Sequence, residues 1–137
     1  MSAHFVMAVR VPDADIDRAG HVNNVAYLRY VQDAAVAHWL ASAPDELRAA
    51  VTWVVRKHEI EYFRPALPGD ELEVRTWVGA PTGATWERFT EIRRAGEEKP
   101  LATARTVWVQ LDATSGRPRR VDAALVARFA SSPRAEK

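Results

Sequence analysis

The sequence predicts an α+β domain, and three observations carry that expectation. A single long stretch places apolar residues at helical spacing, the stretches after it alternate with a period of two, and short breaks rich in Gly, Pro and Asp join them. A strand, a long helix and then about four strands linked by tight turns is how a sheet packed on one helix reads in a chain. The 137 residues suffice for one core without disulfide or metal support. Residues 1–130 are expected to form that single domain, and residues 131–137 a flexible C-terminal tail.

His4 to Val11 reads as the first strand, stopped by Pro12, whose ring fixes φ and removes an amide donor. An acidic loop follows. Val25, Leu28, Val31, Ala35 and Trp39 then recur at helical spacing, with Tyr27 and Tyr30 on the flanks and Ala34, Val36 and Ala37 between. So apolar a helix is expected to be buried on more than one side. Ser42-Ala43-Pro44-Asp45 resembles a cap with proline in the first turn, which predicts a short helix ending near Ala50.

The period then changes. Thr52 to Arg64 is rich in β-branched and aromatic residues and ends at Pro65. Leu72, Val74, Thr76 and Val78 alternate with Glu71, Glu73, Arg75 and Trp77; Trp86, Arg88, Thr90 and Ile92 alternate with Thr85, Glu87, Phe89 and Glu91. Leu101 to Leu111 is the last long strand, and Val121 to Phe129 a closing helix. Pro68-Gly69-Asp70, Pro81-Thr82-Gly83, Ala95-Gly96-Glu97 and Thr114-Ser115-Gly116 supply the turns.

Composition narrows the function. With no cysteine, disulfides, thiolate metal sites and cysteine nucleophiles are excluded. A net charge of +1 gives no global pull toward nucleic acid, and the clusters Arg93-Arg94 and Arg117, Arg119, Arg120 read first as solvated faces. No basic leader precedes an apolar run, and no run has the length of a membrane span, so a cytoplasmic protein without membrane or nucleic-acid partners is expected.

The chemistry concentrates in one loop, Asp13-Ala14-Asp15-Ile16-Asp17-Arg18-Ala19-Gly20-His21-Val22-Asn23-Asn24. It feeds carboxylates, a glycine, an imidazole and two carboxamides straight into a helix N-terminus. There, unpaired N–H groups and the helix dipole can polarise a carbonyl or hold an anion. That combination points to acyl chemistry. The triplet Asp13, Asp15, Asp17 imitates the start of an EF-hand, but the sixth position is Arg18 where Gly is needed and the twelfth is Asn24 where Glu is needed. His4, His38 and His58 have no metal-type spacing, so no metal or other cofactor is expected.

Two segments carry a family resemblance. Asp15 to Asn24 with Tyr27-Leu28-Arg29-Tyr30, and then Glu59-Ile60-Glu61-Tyr62-Phe63-Arg64-Pro65-Ala66-Leu67-Pro68-Gly69-Asp70, resemble the hotdog-fold thioesterases of the 4-hydroxybenzoyl-CoA thioesterase type, close to their acyl-CoA branch. The resemblance spans nearly the whole chain in order. It implies an antiparallel sheet wrapped around one long central helix, a homodimer or homotetramer with active sites between subunits, and an acyl-CoA substrate. It also implies that Asp17 is the catalytic carboxylate, attacking the thioester or activating water. His21 is expected to assist it. Gly20, Val22, Asn23, Asn24, Tyr27 and Arg64 are the expected substrate-binding residues, with backbone N–H groups around Val22 to Asn24 polarising the carbonyl.

The neighbours also have bland readings, and for the cap asparagines, the strand glutamates and the aromatic residues these come first. Asp15 suits an Asx-turn as well as a substrate contact, and Asn23 or Asn24 is a natural N-cap. Arg64, Arg93, Arg94 and Arg120 are candidates for CoA phosphates. Tyr27, Tyr30, Trp53 and Trp86 are candidates for the acyl pocket. Glu59 and Glu61 read first as a charged strand edge. The plant acyl-carrier-protein thioesterases of the superfamily carry Asp-x-Asn-x-His, and here Ala19 replaces the Asn, which favours a simple carboxylate scheme. The Asn-Pro motif of hotdog hydratases is absent. The alternative from another class is a non-catalytic acyl-thioester binding protein with the same fold.

Overall fold

In the computed structural model, which describes residues 4–130, the chain runs β1 (Phe5–Arg10), a 3-10 turn (Asp13–Asp15), α1 (Asn24–Ser42), α2 (Asp45–Ala50), β2 (Val51–Tyr62), β3 (Glu71–Thr82), β4 (Thr85–Arg94), β5 (Ala102–Asp112) and α3 (Ala123–Ala130). The expected tail at 131–137 lies outside the described residues. The strands form one antiparallel sheet in the order β1-β3-β4-β5-β2, with the long β2 on an edge. The sheet curls about α1, as the resemblance implies.

Three local expectations change. Pro81 and Thr82 belong to β3, where they pair with Trp86 and Thr85; the loop itself is Gly83-Ala84. The register slips between Val78 and Pro81, and a bulge of this kind is where a strand tolerates a residue without an amide donor. Ser42 ends α1 and does not cap α2, whose N-cap is Pro44 with no side-chain hydrogen bond. The buried stripe of α1 is Ala26, Tyr27, Tyr30, Val31, Ala34, Ala35 and His38. Val25 is 74% and Leu40 55% exposed, so within one chain the helix is covered on one side only. Small alanines let the helix axis approach the sheet, and the tyrosines reach across it; aliphatic spacing alone does not report this.

The inner face of the sheet holds two cores. Beneath the N-terminal half of α1, Tyr27, Tyr30, Val31 and Ala34 pack with Leu72, Val74, Ile92 and Leu101. Beyond its C-terminal half, Val78, Trp86, Val121, Leu125 and Phe129 form the second, with Trp39 and Trp53 against it. Because α1 rests chiefly on β1 and β3, the inner face of β2 and β5 beside it is left partly open. The outer face carries ion pairs instead, along single strands in Arg75–Glu73 and Arg93–Glu91 and between strands in Arg105 with both Glu59 and Glu87.

Candidate active site

The acidic loop is a tight, hydrogen-bonded excursion. An isolated β-bridge pairs Ile16 with Val22. Inside it, Asp17 N–H donates to the His21 carbonyl at 2.9 Å and Gly20 N–H to the Asp17 carbonyl at 3.0 Å. Gly20 sits at φ +85°, a conformation L side chains rarely adopt, so its glycine is a backbone requirement. The Asp17 carboxylate accepts the Ala19 N–H at 2.9 Å through Oδ1 and is otherwise exposed to solvent, as is the turn around it.

Asp15 behaves differently. It is only 5% exposed, and its Oδ2 accepts the Tyr30 hydroxyl at 2.5 Å and the Arg29 guanidinium. The Arg29 hydrogen bond, helped by Tyr30 and by the Arg29 charge, holds the carboxyl below its ordinary range against the opposing effect of burial. Burial and the Asp15 bond push the Tyr30 hydroxyl up, so it stays a donor. The Asp15 side chain bonds to two residues of α1 and not to loop backbone in an Asx-turn. The residue clamps the loop to the first turns of α1.

The helix start is finished by Asn23. Its side-chain oxygen accepts the Ala26 N–H at 2.9 Å, and its amide group donates to the Asp15 carbonyl at 3.1 Å. This assigns the N-cap to Asn23 and makes Asn24 the first helical residue. Two of the expected carbonyl-polarising amides are already engaged: Val22 N–H donates to the Ala66 carbonyl and Asn23 N–H to the Asp15 carbonyl, both at 2.9 Å. The amides of Asn24 and Val25 are the ones a helix start leaves without an intrahelical acceptor, and among the described residues no loop carbonyl takes either. Asp17 and these two amides therefore lie at the two ends of one short bridged loop.

Other expected site residues are placed elsewhere. Tyr27 is 2% exposed, with its hydroxyl accepting the Ala66 N–H at 2.9 Å, so it fastens the segment after β2 to the helix and is closed to substrate within this chain. The Val22 side chain is in the core. Arg64 turns to Glu97 at 3.3 Å and the Lys99 carbonyl at 2.7 Å. Arg93 is paired with Glu91, and Arg94 with Asp70 and Glu97. Glu59 lies on the sheet edge between Lys57 and Arg105. His21 is half-buried at the loop's end.

A cavity of about 260 Å³ lies in the gap between α1 and the open inner face, walled by Trp39, Trp53, Trp86, Trp108, Phe129 and Arg88 among others. Trp53 and Trp86, expected in a pocket, are here; Tyr30 is not, because Asp15 holds it. Arg88 was not expected. Its only sequence signal was position: it alternates in phase with Trp86, Thr90 and Ile92, the inward face of β4. It is 6% exposed and donates to His38 Nδ1 at 3.0 Å and Thr76 Oγ1 at 3.1 Å. Burial pulls its pKa down to about 9, still protonated at neutral pH. Burial first, and then the Arg88 charge, pull His38 down to about 3, so the imidazole is neutral and accepts from the guanidinium.

With this geometry in place, similarity to known proteins adds a second line. The sequence profile of the thioesterase-like superfamily matches residues 11–129. The acyl-CoA thioester hydrolase YbgC of Escherichia coli is 30% identical over 128 residues, covering 91% of this chain and 95% of that protein. A Thermus thermophilus thioesterase crystallised with coenzyme A and Zn is 30% identical, with 90% of each chain covered and a TM-score of 0.78. A 1,4-dihydroxy-2-naphthoyl-CoA thioesterase from Synechocystis is 20% identical, covers 94% and 97% of the two chains, and superposes with a TM-score of 0.81, a likeness of fold.

Proposed function

This chain belongs to the thioesterase-like superfamily and is a thioester hydrolase of hotdog fold, and on that premise we propose that its substrate is an acyl-CoA, cleaved to the free acid and coenzyme A at the loop before α1. The observation that carries the reading is the division of labour in that loop. Asp15 is buried and bonded to Arg29 and Tyr30, whereas Asp17 is exposed at the other side of the same turn, with the Asn24 and Val25 amides at its far end.

In this reading the substrate carbonyl oxygen lies against the Asn24 and Val25 N–H groups, which meet the negative charge that develops as the carbonyl carbon becomes tetrahedral. The N-terminal dipole of a helix as long as α1 adds to that field. Asp17 acts on the carbon. As a general base it takes a proton from water; the hydroxide adds, the C–S bond breaks and the thiolate leaves with the proton. As a nucleophile its carboxylate adds to the carbonyl carbon, the C–S bond breaks and the CoA thiolate leaves to take a proton from solvent. Water then opens the mixed anhydride to the free acid and the Asp17 carboxylate. Label found in Asp17 after single turnover in 18O-water marks the second route, with water attacking the Asp17 carbonyl carbon of the anhydride, because the general-base route puts label only in the product acid. His21, at the end of the turn and bonded through its carbonyl to Asp17 N–H, positions the carboxylate.

The assembly expected of the family is part of the proposal. In one chain Asp17 faces solvent, where bulk water competes for its lone pairs. A second copy would bury it. The unpaired outer edge of the twelve-residue β2, with Val54, Tyr62 and Phe63 exposed along or beside it, is a surface suited to such pairing. We place the protein in the cytoplasm; among the described residues no helix is long and apolar enough to cross a membrane.

The test is release of free CoA thiol from acetyl, medium-chain, long-chain and aromatic acyl-CoAs, which the absence of cysteine makes simple to read with a thiol reagent. Turnover by the wild-type protein that falls roughly a hundredfold or more in Asp17→Asn, with folding and assembly unchanged, is the expected result. Near-normal activity in that variant defeats the assignment of Asp17.

A further inference from the structure

The cavity beside the C-terminal half of α1 is distinct from the loop just described. Its wall on α1 begins at Gln32, eight residues beyond Asn24, or about 12 Å along the axis at ~1.5 Å per residue. Its walls include four indoles and a phenyl ring, with aliphatic side chains among them, which would by themselves specify any apolar guest. What they enclose is unusual: a guanidinium with no counter-charge.

Among the described residues Arg88 makes no ion pair. Both of its partners, Thr76 Oγ1 and His38 Nδ1, are neutral acceptors. The adjacent carboxylate, Glu87, also contributes to the cavity lining, but it belongs to the alternate phase of β4 and its charge is taken by Arg105, not Arg88. A buried charge is normally paired, because low-dielectric surroundings do not repay the water it has lost. Two further donors point the same way. The ring nitrogens of Trp53 and Trp108 are buried without any partner, although both residues line this cavity; Trp86, by contrast, gives its N–H to the Gly79 carbonyl at 2.6 Å. Unpartnered buried donors are rare in native proteins, and here two of them line one cavity, where none of Gln32, Thr52 and Glu87 of the same lining takes them.

We propose that this cavity is a binding site for a ring-bearing carboxylic acid, its ring among the tryptophans and its carboxylate on Arg88 and the indole N–H groups. A carboxylate has lone pairs enough to accept from a guanidinium and from both indoles together, and Arg–carboxylate pairing is strong where water is excluded. The size is adequate: a cavity of about 150 Å³ holds benzene. The acid has two conceivable sources, a free aromatic acid or an acid group carried on the far end of a substrate's acyl chain, and both present the same chemistry to Arg88.

Intrinsic fluorescence reads the site directly, since Trp39, Trp53, Trp86 and Trp108 are all of the chain's tryptophans except Trp77. Titration of the full chain with naphthoate is expected to give saturable quenching, with the isosteric neutral naphthamide binding at least ~10-fold more weakly. Arg88→Met should lose the preference for the acid, and Trp53→Phe, which keeps a ring and removes only the N–H, should weaken naphthoate by a few-fold. Should Arg88→Met fail to fold, the acid-against-amide comparison on wild type and on Trp53→Phe still decides. No saturable binding of naphthoate, equal affinity for acid and amide, or unchanged acid affinity in folded Arg88→Met overturns the proposal. None of these readings depends on turnover. Inhibition of acyl-CoA hydrolysis by naphthoate then identifies the source: a competitive pattern marks an acyl-borne acid, a noncompetitive one a free acid, and either upholds the site.

Discussion

At the N-terminal end of α1 a buried carboxylate, Asp15, is met by a guanidinium and a phenol; beyond its C-terminal half a buried guanidinium, Arg88, is met by a hydroxyl, a neutral imidazole and the face of the Phe129 ring, none of them an anion. Both side chains are about equally hidden, at 5% and 6% exposure. The first end has its charge compensated from within the chain and exposes a second carboxylate, Asp17, on a loop thereby held in place. The second leaves the compensation open and surrounds it with aromatic rings. The contrast separates a structural ion pair from a site: burial alone marks neither, and the presence or absence of a counter-charge distinguishes them.

The largest expected effect falls on the exposed member of the loop pair. Asp17→Asn should leave thermal unfolding unaltered while cutting CoA release by roughly a hundredfold or more, because it touches chemistry and no buried contact. Asp15→Asn should invert that pattern. It leaves Arg29 and Tyr30 without their acceptor charge and should cost about 1–3 kcal/mol in denaturant unfolding, with activity falling only as far as the loop loosens.

Acid sharpens the same comparison. Asp15 titrates lower in the folded protein than in the unfolded chain, where its pKa is about 3.9. Its stabilisation is therefore fully present above about pH 4 and is lost as pH falls through the lower folded value. In Asp15→Asn this part of the acid-unfolding slope should be absent. His38, held neutral and down at about 3, adds a separate loss that begins as pH drops below the ordinary imidazole value of about 6.5, and it should persist in that variant.

Smaller effects are expected from Tyr27→Phe, which orphans the buried Ala66 N–H and should cost about 1 kcal/mol. A core role for Tyr27 predicts that loss with an unchanged KM, whereas a substrate role predicts the reverse. No loss of stability is expected from Arg88→Met. Exchanging an uncompensated buried cation for an apolar side chain of similar reach is often neutral or stabilising, so the melting temperature should hold or rise. A large drop would mean that Arg88 serves the fold, and the two ends of α1 would then differ less than their partners imply.

Much of this was legible before any coordinates. The spacing from Val25 to Trp39 located α1, which runs three residues beyond Trp39 to Ser42, and the alternation around Trp86 and Leu72 located β4 and β3. The loop from Asp13 to Asn24 was visible as a polar run ahead of an apolar one, since capping chemistry is local. Less legible were the partners. Asp15 and Asp17 are the same residue type two positions apart, and only the reach of Arg29 and Tyr30 from the next helical turns makes one structural and leaves the other open. Tyr27 matched a site pattern in sequence, yet its ring fills the core.

By itself the sequence determined what depends on near neighbours: strand and helix periods, the glycine needed at φ +85° in the loop, the cap before α1, and the absence of any thiol chemistry. The tertiary structure decided what depends on pairing across the chain. It seated α1 over β1 and β3 and so opened a gap above β5 and β2, engaged the amides of Val22 and Asn23 while leaving those of Asn24 and Val25, and turned Arg88 inward among four tryptophans. The physical reason is range. Backbone preference and periodicity act over a turn of helix or a few residues of strand, whereas desolvation and counter-charge are set by whichever residues the fold brings within a few ångströms, here as far apart as His38 and Arg88.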